Sequence, residues 1–482
     1  MFKDTMKKRT KIVCTIGPAS DTPEIIRDMI LAGMNVCRLN FSHGSHEEHA
    51  ARIKIIKEVR AEMDEFIGIL LDTKGPEIRT GRFEGGQALL KQGERFTLTV
   101  REDILGNENI CSISYNGLID DIKPGDMVLM DDGLISMVVQ EISDDDIICI
   151  IENPGIIKDR KGVAVPNIKV NLPAISEQDR KDLMFGIEHG VDFIAASFIR
   201  KASDVLEIRE LLDKNGGRDI HIISKIENQE GVDNLDEIIA VSDGVMVARG
   251  DLGVEIPMGE IAIVQKEMIR KVRSNSKPVI TATQMLDSMM RNPRPTRAEV
   301  TDVANAIFDG SDAIMLSGET AAGKYPVEAV KTMTDIALRT ESAKNIDEFR
   351  DLLFSVNKHS VTHAISNATC STARDLNAKA IITTTASGRT TRMVSVYRPH
   401  CPIIASTYTE SVARRCSILW GVYPLLTEKQ ETTDMEFEQS VKAAMRKGLL
   451  DYDDLIVITA GVPIGISGTT NLIKVHVTQK ND

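Results

Sequence analysis

Aromatic residues are scarce in this chain of 482 residues, at 4% with a single tryptophan, and its 58 basic residues are outnumbered by 71 acidic ones. The formal charge is −13, so a basic face lined with stacking rings is missing and nucleic acid is excluded as a partner. No apolar run approaches the roughly eighteen residues of a membrane span, and the N-terminal segment holds no apolar targeting core. The expectation is a cytoplasmic protein without membrane contact. The seven cysteines are odd in number and never spaced as Cys-x-x-Cys. That pattern argues against a disulfide framework and a zinc knuckle, and leaves reduced thiols in the core. What is present is an ordinary globular composition, 42% hydrophobic with 33 glycines, long enough for two to three domains.

A short β-branched run, a polar or glycine-rich elbow and an amphipathic stretch recur along the chain. The strand-like runs are Lys11 to Ile16, Asn35 to Leu39, Ile67 to Leu71, Asp192 to Ala196, His221 to Ser224, Gly244 to Val247, Pro278 to Ala282 and Ala313 to Leu316. Helical spacing lies between them, as in Pro23 to Ala32, Glu177 to Glu188 and Ile261 to Ser274. Eight such units predict a (β/α)8 TIM barrel, formed by residues 1–71 and 172–344. Residues 72–171 read instead as short alternating runs between turn clusters, a small β-barrel lid domain inserted after the third strand. Residues 345–482 resume the α/β pattern as a separate C-terminal domain.

In such a barrel the chemistry sits at the C-terminal ends of the strands. Those elbows read Arg38-Leu39-Asn40-Phe41-Ser42-His43-Gly44, Asp72-Thr73-Lys74-Gly75-Pro76-Glu77-Ile78-Arg79, Lys225-Ile226-Glu227-Asn228, Arg249-Gly250-Asp251-Leu252-Gly253 and Thr281-Ala282-Thr283-Gln284. Glu227 and Asp251 lie one βα unit apart and suit Mg²⁺ or Mn²⁺ bridging a substrate. Lys225 points the same way as Glu227, either to stabilise a transferring phosphoryl group or to pair with those acids. Arg38 and Arg79 offer forks for phosphate oxygens, or salt bridges to Asp72 and Glu77. The Arg249–Gly253 segment reads as a helix start whose free N–H groups could hold a carboxylate or phosphate. Read alone, these residues fit a phosphotransferase or an enolate-forming lyase.

Taken together and in this order, the five elbows resemble the pyruvate kinase family, and the resemblance covers essentially the whole chain. It implies phosphoryl transfer from phosphoenolpyruvate to ADP, giving pyruvate and ATP, in a homotetramer using Mg²⁺ (or Mn²⁺) and K⁺. Lys225, Arg38 and Thr283 would be catalytic, with Arg38, Gly250, Asp251 and Thr283 binding the substrate. Arg79, Lys161, His43 and Asp132 would serve the nucleotide. Glu227 and Asp251 would hold the divalent metal, while Asn40, Ser42, Asp72 and the Thr73 carbonyl would hold K⁺. A phosphorylated metabolite would bind as effector at Thr385, Ser387, Gly388, Arg389 and Thr390. Three positions are informative. Glu77 stands where members that work without K⁺ carry lysine, which implies a K⁺ requirement. Ala386 stands where some fructose-1,6-bisphosphate-activated relatives have lysine, which favours a monophosphate effector. Ala164 and Asn167 replace the family's usual Asn and Gly in the run Gly162-Val163-Ala164-Val165-Pro166-Asn167, at the lid hinge.

Overall fold

The structure is a computed structural model and describes residues 8–102, 104–343, 360–463 and 469–479. Eight parallel strands close into a barrel: β1 (Lys11–Thr15), β2 (Val36–Asn40), β3 (Gly68–Asp72), β4 (Phe193–Ala196), β5 (His221–Ile226), β6 (Gly244–Ala248), β7 (Val279–Ala282) and β8 (Ala313–Leu316). Strand period decides what the barrel encloses. Val36, Leu70 and Ile223 belong to its inner cluster, whereas Cys37, Leu71 and Ile222 pack under the surrounding helices. Two residues further along the inward-facing set stand Arg38, Asp72 and Lys225, so alternation alone carries these three charges to the mouth. The parallel register sets Asn40 opposite Asp72.

Capping fixes where the outer helices begin. Ser45, Ser176 and Thr296 each close a capping box, at the starts of helices His46–Glu62, Glu177–Glu188 and Arg297–Asp309. At the lower end of the barrel the inner cluster is continuous with Cys416, Ile418 and Leu419 of the C-terminal domain. Ion pairs Arg414–Asp192 at 2.8 Å and Arg398–Asp312 at 2.9 Å join the same two bodies.

Asp72 is the last residue of β3, so the barrel runs one residue beyond the expected boundary at 71 before the chain leaves it. The intervening segment forms a seven-stranded sheet and a two-stranded one. The outermost strands of the larger sheet, Ile78–Arg79 and Ile110–Ser112, approach through an antiparallel bridge between Thr80 and Ile113, which rolls the sheet towards closure. The C-terminal sheet runs in the order Val422–Leu426, Ile403–Thr407, Ala380–Thr384, Leu455–Gly461, Thr470–Val477, with only the last strand antiparallel. The expected boundary at 344/345 lies outside the described residues. All seven cysteines are buried and free.

Candidate active site

Four ionisable side chains meet at the mouth. Arg38 Nε donates to Asp72 Oδ2 at 2.6 Å, and Lys225 Nζ donates to Asp72 Oδ1 at 2.9 Å while lying 3.1 Å from Glu227 Oε1. Asp72 is fully buried and Glu227 is 1% exposed, so these charges interact with little screening. Burial works against the Asp72 carboxylate, but Arg38 and Lys225 outweigh it and hold the group below its usual range. Burial likewise works against the Lys225 ammonium, and Asp72 with Glu227 reverses that and moves it upward. Glu227 is the exception. Burial pushes it up to about 8, Lys225 opposing and Asp251 reinforcing the shift.

Both salt-bridge alternatives entertained for the arginines are realised: Arg38 pairs with Asp72, and Arg79 Nε donates to Glu77 Oε2 at 2.6 Å. The Arg249–Glu255 segment is helical as expected. Its Gly250 N–H donates to the Thr283 hydroxyl at 2.8 Å, and that hydroxyl donates in turn to the Ala282 carbonyl at 2.6 Å. Thr283 has φ of 68° and Gln284 54°, a left-handed backbone that non-glycine residues adopt only when their surroundings enforce it. Arg249 supplies the enforcement: its Nη2 donates to the Thr283 carbonyl at 2.7 Å, and its Nη1 is anchored 2.7 Å from Asp302.

The residues assigned to the nucleotide are less tightly gathered. Lys161 pairs with Asp131 at 2.7 Å, Arg79 Nη1 donates to the Arg160 carbonyl at 2.9 Å, and His43 is exposed. Asp132, Glu77, Asn167, Asp251 and Glu255 line a cleft of about 170 Å³ between the inserted domain and the barrel mouth. Asn40 Oδ1 accepts the Ser42 N–H at 3.1 Å, and the Thr73 carbonyl accepts the Ser197 hydroxyl at 2.6 Å. In the C-terminal loop Thr385 Oγ1 accepts the Gly388 N–H at 3.0 Å, and the Thr390 and Thr470 hydroxyls are 2.9 Å apart.

Three contributors escape sequence reasoning. The Ser197 hydroxyl accepts from Lys225 at 2.7 Å, and the Phe198 N–H donates to Glu227 Oε2 at 2.6 Å. Neither residue is ionisable, and only their place just after a barrel strand could have drawn attention to them. Glu255, pushed up to about 7 by burial and then by Asp251, sits on the face of the short helix that looks into the cleft.

Among the described residues no three His, Cys, Asp or Glu side chains converge as a ready-made metal cage. Two carboxylates just beyond the ends of neighbouring strands, Glu227 after β5 and Asp251 in the short helix after β6, leave coordination positions for a substrate, as a catalytic divalent site requires. Oxygens, cations and a strained threonine around an open mouth suit chemistry on a small, highly charged anion.

Comparison with known proteins agrees. The family model for the pyruvate kinase barrel domain matches residues 7–330, and that for the pyruvate kinase alpha/beta domain matches residues 363–476. The chain is 56% identical over 477 residues to a pyruvate kinase of Geobacillus stearothermophilus, covering 98% of this chain and 81% of that one. It is 52% identical over 472 residues to a pyruvate kinase of Clostridium acetobutylicum, covering 98% and 100%. A crystal structure of a pyruvate kinase from Cryptosporidium parvum superposes with a TM-score of 0.93 at 42% identity, covering 99% of this chain and 97% of that one. A closed eight-stranded barrel with its charges gathered at one mouth, matched along nearly its full length by these relatives, places the chain in the pyruvate kinase family.

Proposed function

We propose that the mouth of β2, β3, β5, β6 and β7 moves the phosphoryl group of phosphoenolpyruvate to ADP and then protonates the pyruvate enolate. The observation that carries the assignment of residues is the Arg38–Asp72–Lys225–Glu227 cluster, in which two cations stand ready beside buried acids. Arg38 grips the phosphoryl oxygens through its fork. Lys225 offsets the charge that spreads over those oxygens as the group passes between donor and acceptor. The Gly250 and Asp251 amides take the substrate carboxylate, Gly250 turning from the Thr283 hydroxyl that now occupies it. That hydroxyl then faces the carbon that gains the proton. Arg79, Lys161, His43 and Asp132 receive ADP in the cleft, and the inserted domain closes over it to exclude water.

Mg²⁺ or Mn²⁺ would be held by Glu227 and Asp251, where it supplies charge neutralisation to phosphoryl and enolate oxygens. The residues fit such an ion, because Glu227 carries a carboxylate that burial and Asp251 make costly to ionise, and a divalent neighbour reverses that cost. K⁺ is assigned to Asp72, the Thr73 carbonyl, Asn40 and Ser42. Each of the first three oxygen groups retains acceptor capacity beyond the bonds described above. The enzyme is read as a cytoplasmic homotetramer. A coupled assay with phosphoenolpyruvate and ADP, with and without Mg²⁺, tests the assignment: turnover is expected only with the metal, and none under any metal would leave the enolate-forming lyase.

Activity is expected to depend on K⁺. In the structure Glu77 holds Arg79, and an ammonium in its place would supply a cation near the mouth where a carboxylate cannot. Glu77→Lys should therefore relax the dependence. Titration with K⁺ in a sodium-free tetramethylammonium buffer checks both statements, and full activity of the unaltered enzyme without K⁺ would refute the first.

A phosphorylated effector is assigned to the loop Thr385 to Thr390, where hydroxyls and the amides of the helix Arg389–Val396 gather behind Gly388, whose φ is 82°. Coupling between such sites is on the order of 1–3 kcal/mol, a shift of about 5- to 150-fold in affinity. Phosphoenolpyruvate saturation curves with ribose 5-phosphate, AMP, glucose 6-phosphate and fructose 1,6-bisphosphate should shift for one of the monophosphates. Ser387→Ala/Thr390→Ala should abolish the shift. A double variant that responds as the unaltered enzyme does would make the loop purely structural.

A further inference from the structure

Of the five residues Asn40 to Gly44 that form the elbow of β2, only Phe41 is buried, while Ser42, His43 and Gly44 are exposed. The chain turns sharply there, the His43 N–H donating to the Asn40 carbonyl at 3.3 Å, with Phe41 and Ser42 as the central residues of the turn. A turn with so little apolar surface of its own depends on whatever packs beneath it. His49 does that packing. It stands in the first turn of the helix His46–Glu62 and is 2% exposed. Its ring lies flat on Phe41, with centroids 4.0 Å and planes 13° apart, and its Nε2 is 2.9 Å from the His43 carbonyl oxygen. A carbonyl only accepts, so Nε2 carries the proton and donates. Nδ1 is then a bare acceptor, buried and without a partner among the described residues. Burial moves the imidazole below its usual range against the pull of the His43 carbonyl, which keeps the ring neutral in this one tautomer. Phe41 is flanked further by Phe185 at 5.5 Å and His46 at 5.9 Å, and His46 Nε2 is 2.6 Å from Oδ1 of the buried Asp182.

Packing alone does not call for a histidine at this position. Phenylalanine would stack on Phe41 as well and would orphan no nitrogen, whereas a buried polar atom without a partner carries a desolvation cost. What the imidazole adds is the bond to the His43 carbonyl. We propose that His49 is a positioning residue for the monovalent-cation site, holding through its Nε2–H the turn that presents Asn40 and Ser42. The inference rests on the assignment of K⁺ to those two residues with Asp72 and the Thr73 carbonyl. Its physical basis is pre-organisation: a turn held in one shape before the ion arrives loses little conformational freedom on binding, and a loose one loses much. The two points of attachment lie on either side of Ser42, Phe41 under the imidazole and His43 on its Nε2. Asn40 Oδ1 already accepts the Ser42 N–H at 3.1 Å, so a hold on Ser42 is a hold on both.

K⁺ binding is read without turnover from the rise in the thermal-unfolding midpoint of the full-length enzyme as KCl replaces tetramethylammonium chloride at constant ionic strength. His49→Phe keeps a ring over Phe41 and removes the donor. Its apparent dissociation constant for K⁺ should rise about ten-fold or more, the usual scale when an outer partner of a metal ligand is lost. His49→Gln places an amide N–H at the reach of Nε2 and should recover most of that loss. The K⁺ concentration for half-maximal activity should follow the same order, with kcat at saturating K⁺ nearly restored in His49→Phe, a split that general damage to the fold would not give. His189→Gln removes a ring of the same cluster, stacked on Phe185 at 3.9 Å, and should titrate as the unaltered enzyme does. Should His49→Phe fail to fold, Phe41→Leu takes its place, since it withdraws the ring beneath the imidazole and should weaken K⁺ likewise. A K⁺ titration of His49→Phe, or of that substitute, matching the unaltered enzyme overturns the proposal, as does a His49→Gln variant no tighter than His49→Phe. An unaltered enzyme that K⁺ neither stabilises nor activates would instead overturn the K⁺ assignment itself, and the inference with it.

Discussion

Lys225→Met is expected to slow phosphoryl transfer from phosphoenolpyruvate to ADP by about 10³-fold or more, the range seen when a cation is withdrawn from a phosphoryl transition state, while sparing much of the proton exchange at C3 of pyruvate. The two half-reactions ask for charge at different places. Transfer needs a cation against the moving phosphoryl oxygens, the role assigned to the Lys225 ammonium, which stands between Asp72 at 2.9 Å and Glu227 at 3.1 Å. Enolisation needs charge on the enolate oxygen and a proton relay at carbon, assigned to the divalent site and Thr283. Methionine fills a similar volume without charge, and Asp72 keeps Arg38 at 2.6 Å, so the mouth retains part of its frame. Breaking a buried ion pair costs on the order of 3–5 kcal/mol of stability, which makes a thermal-unfolding control necessary. Solvent-tritium exchange into pyruvate measures the second half-reaction. Equal loss of both activities in a folded variant would mean that Lys225 serves enolisation as well.

Glu227→Gln and Asp251→Ala should each weaken Mn²⁺ binding by more than about 100-fold, the upper end of what the loss of a mere outer partner of a metal site produces. The glutamine amide oxygen can still accept the Phe198 N–H that Glu227 Oε2 now receives at 2.6 Å, so this substitution removes charge and leaves the local backbone bonded. A single remaining carboxylate makes a poor site for a hard divalent cation. Titration of free Mn²⁺ by electron paramagnetic resonance reads the affinity directly, without turnover. Unchanged affinity in both variants would move the metal elsewhere.

The barrel was legible because each strand is a short β-branched run punctuated by an elbow, and all eight were located to within a residue or two. The strand Val422–Leu426 was not, because Pro424 interrupts it. The structure shows why proline is tolerated there: the strand forms one edge of its sheet, where a missing N–H goes unmissed. In the inserted domain Ile78–Arg79, Ile110–Ser112 and Gly162–Ala164 are two or three residues long, too short for any period to show. At the mouth the charged residues were legible as residues that a surface loop has little reason to align at five successive elbows. Ser197 and Phe198 were hidden because one acts through a hydroxyl and the other through its backbone. The departure at Asn167 also finds a physical reading. Its φ is 65°, the left-handed region that glycine enters freely and that asparagine tolerates better than most other residues, so asparagine suits this backbone position while narrowing the conformations open to it.

Asp72 behaves as a placeholder. It occupies both Arg38 and Lys225, the two cations assigned to the phosphoryl group, and so holds them in place at the mouth. On that assignment an arriving phosphate would compete with an anion already seated there, which would make binding an exchange of partners in place of a first capture. It also leaves behind a carboxylate whose company has thinned, at the very position where a monovalent cation is assigned. Substrate and K⁺ would then each strengthen the hold of the other by the same factor, since linkage between two binding equilibria is reciprocal.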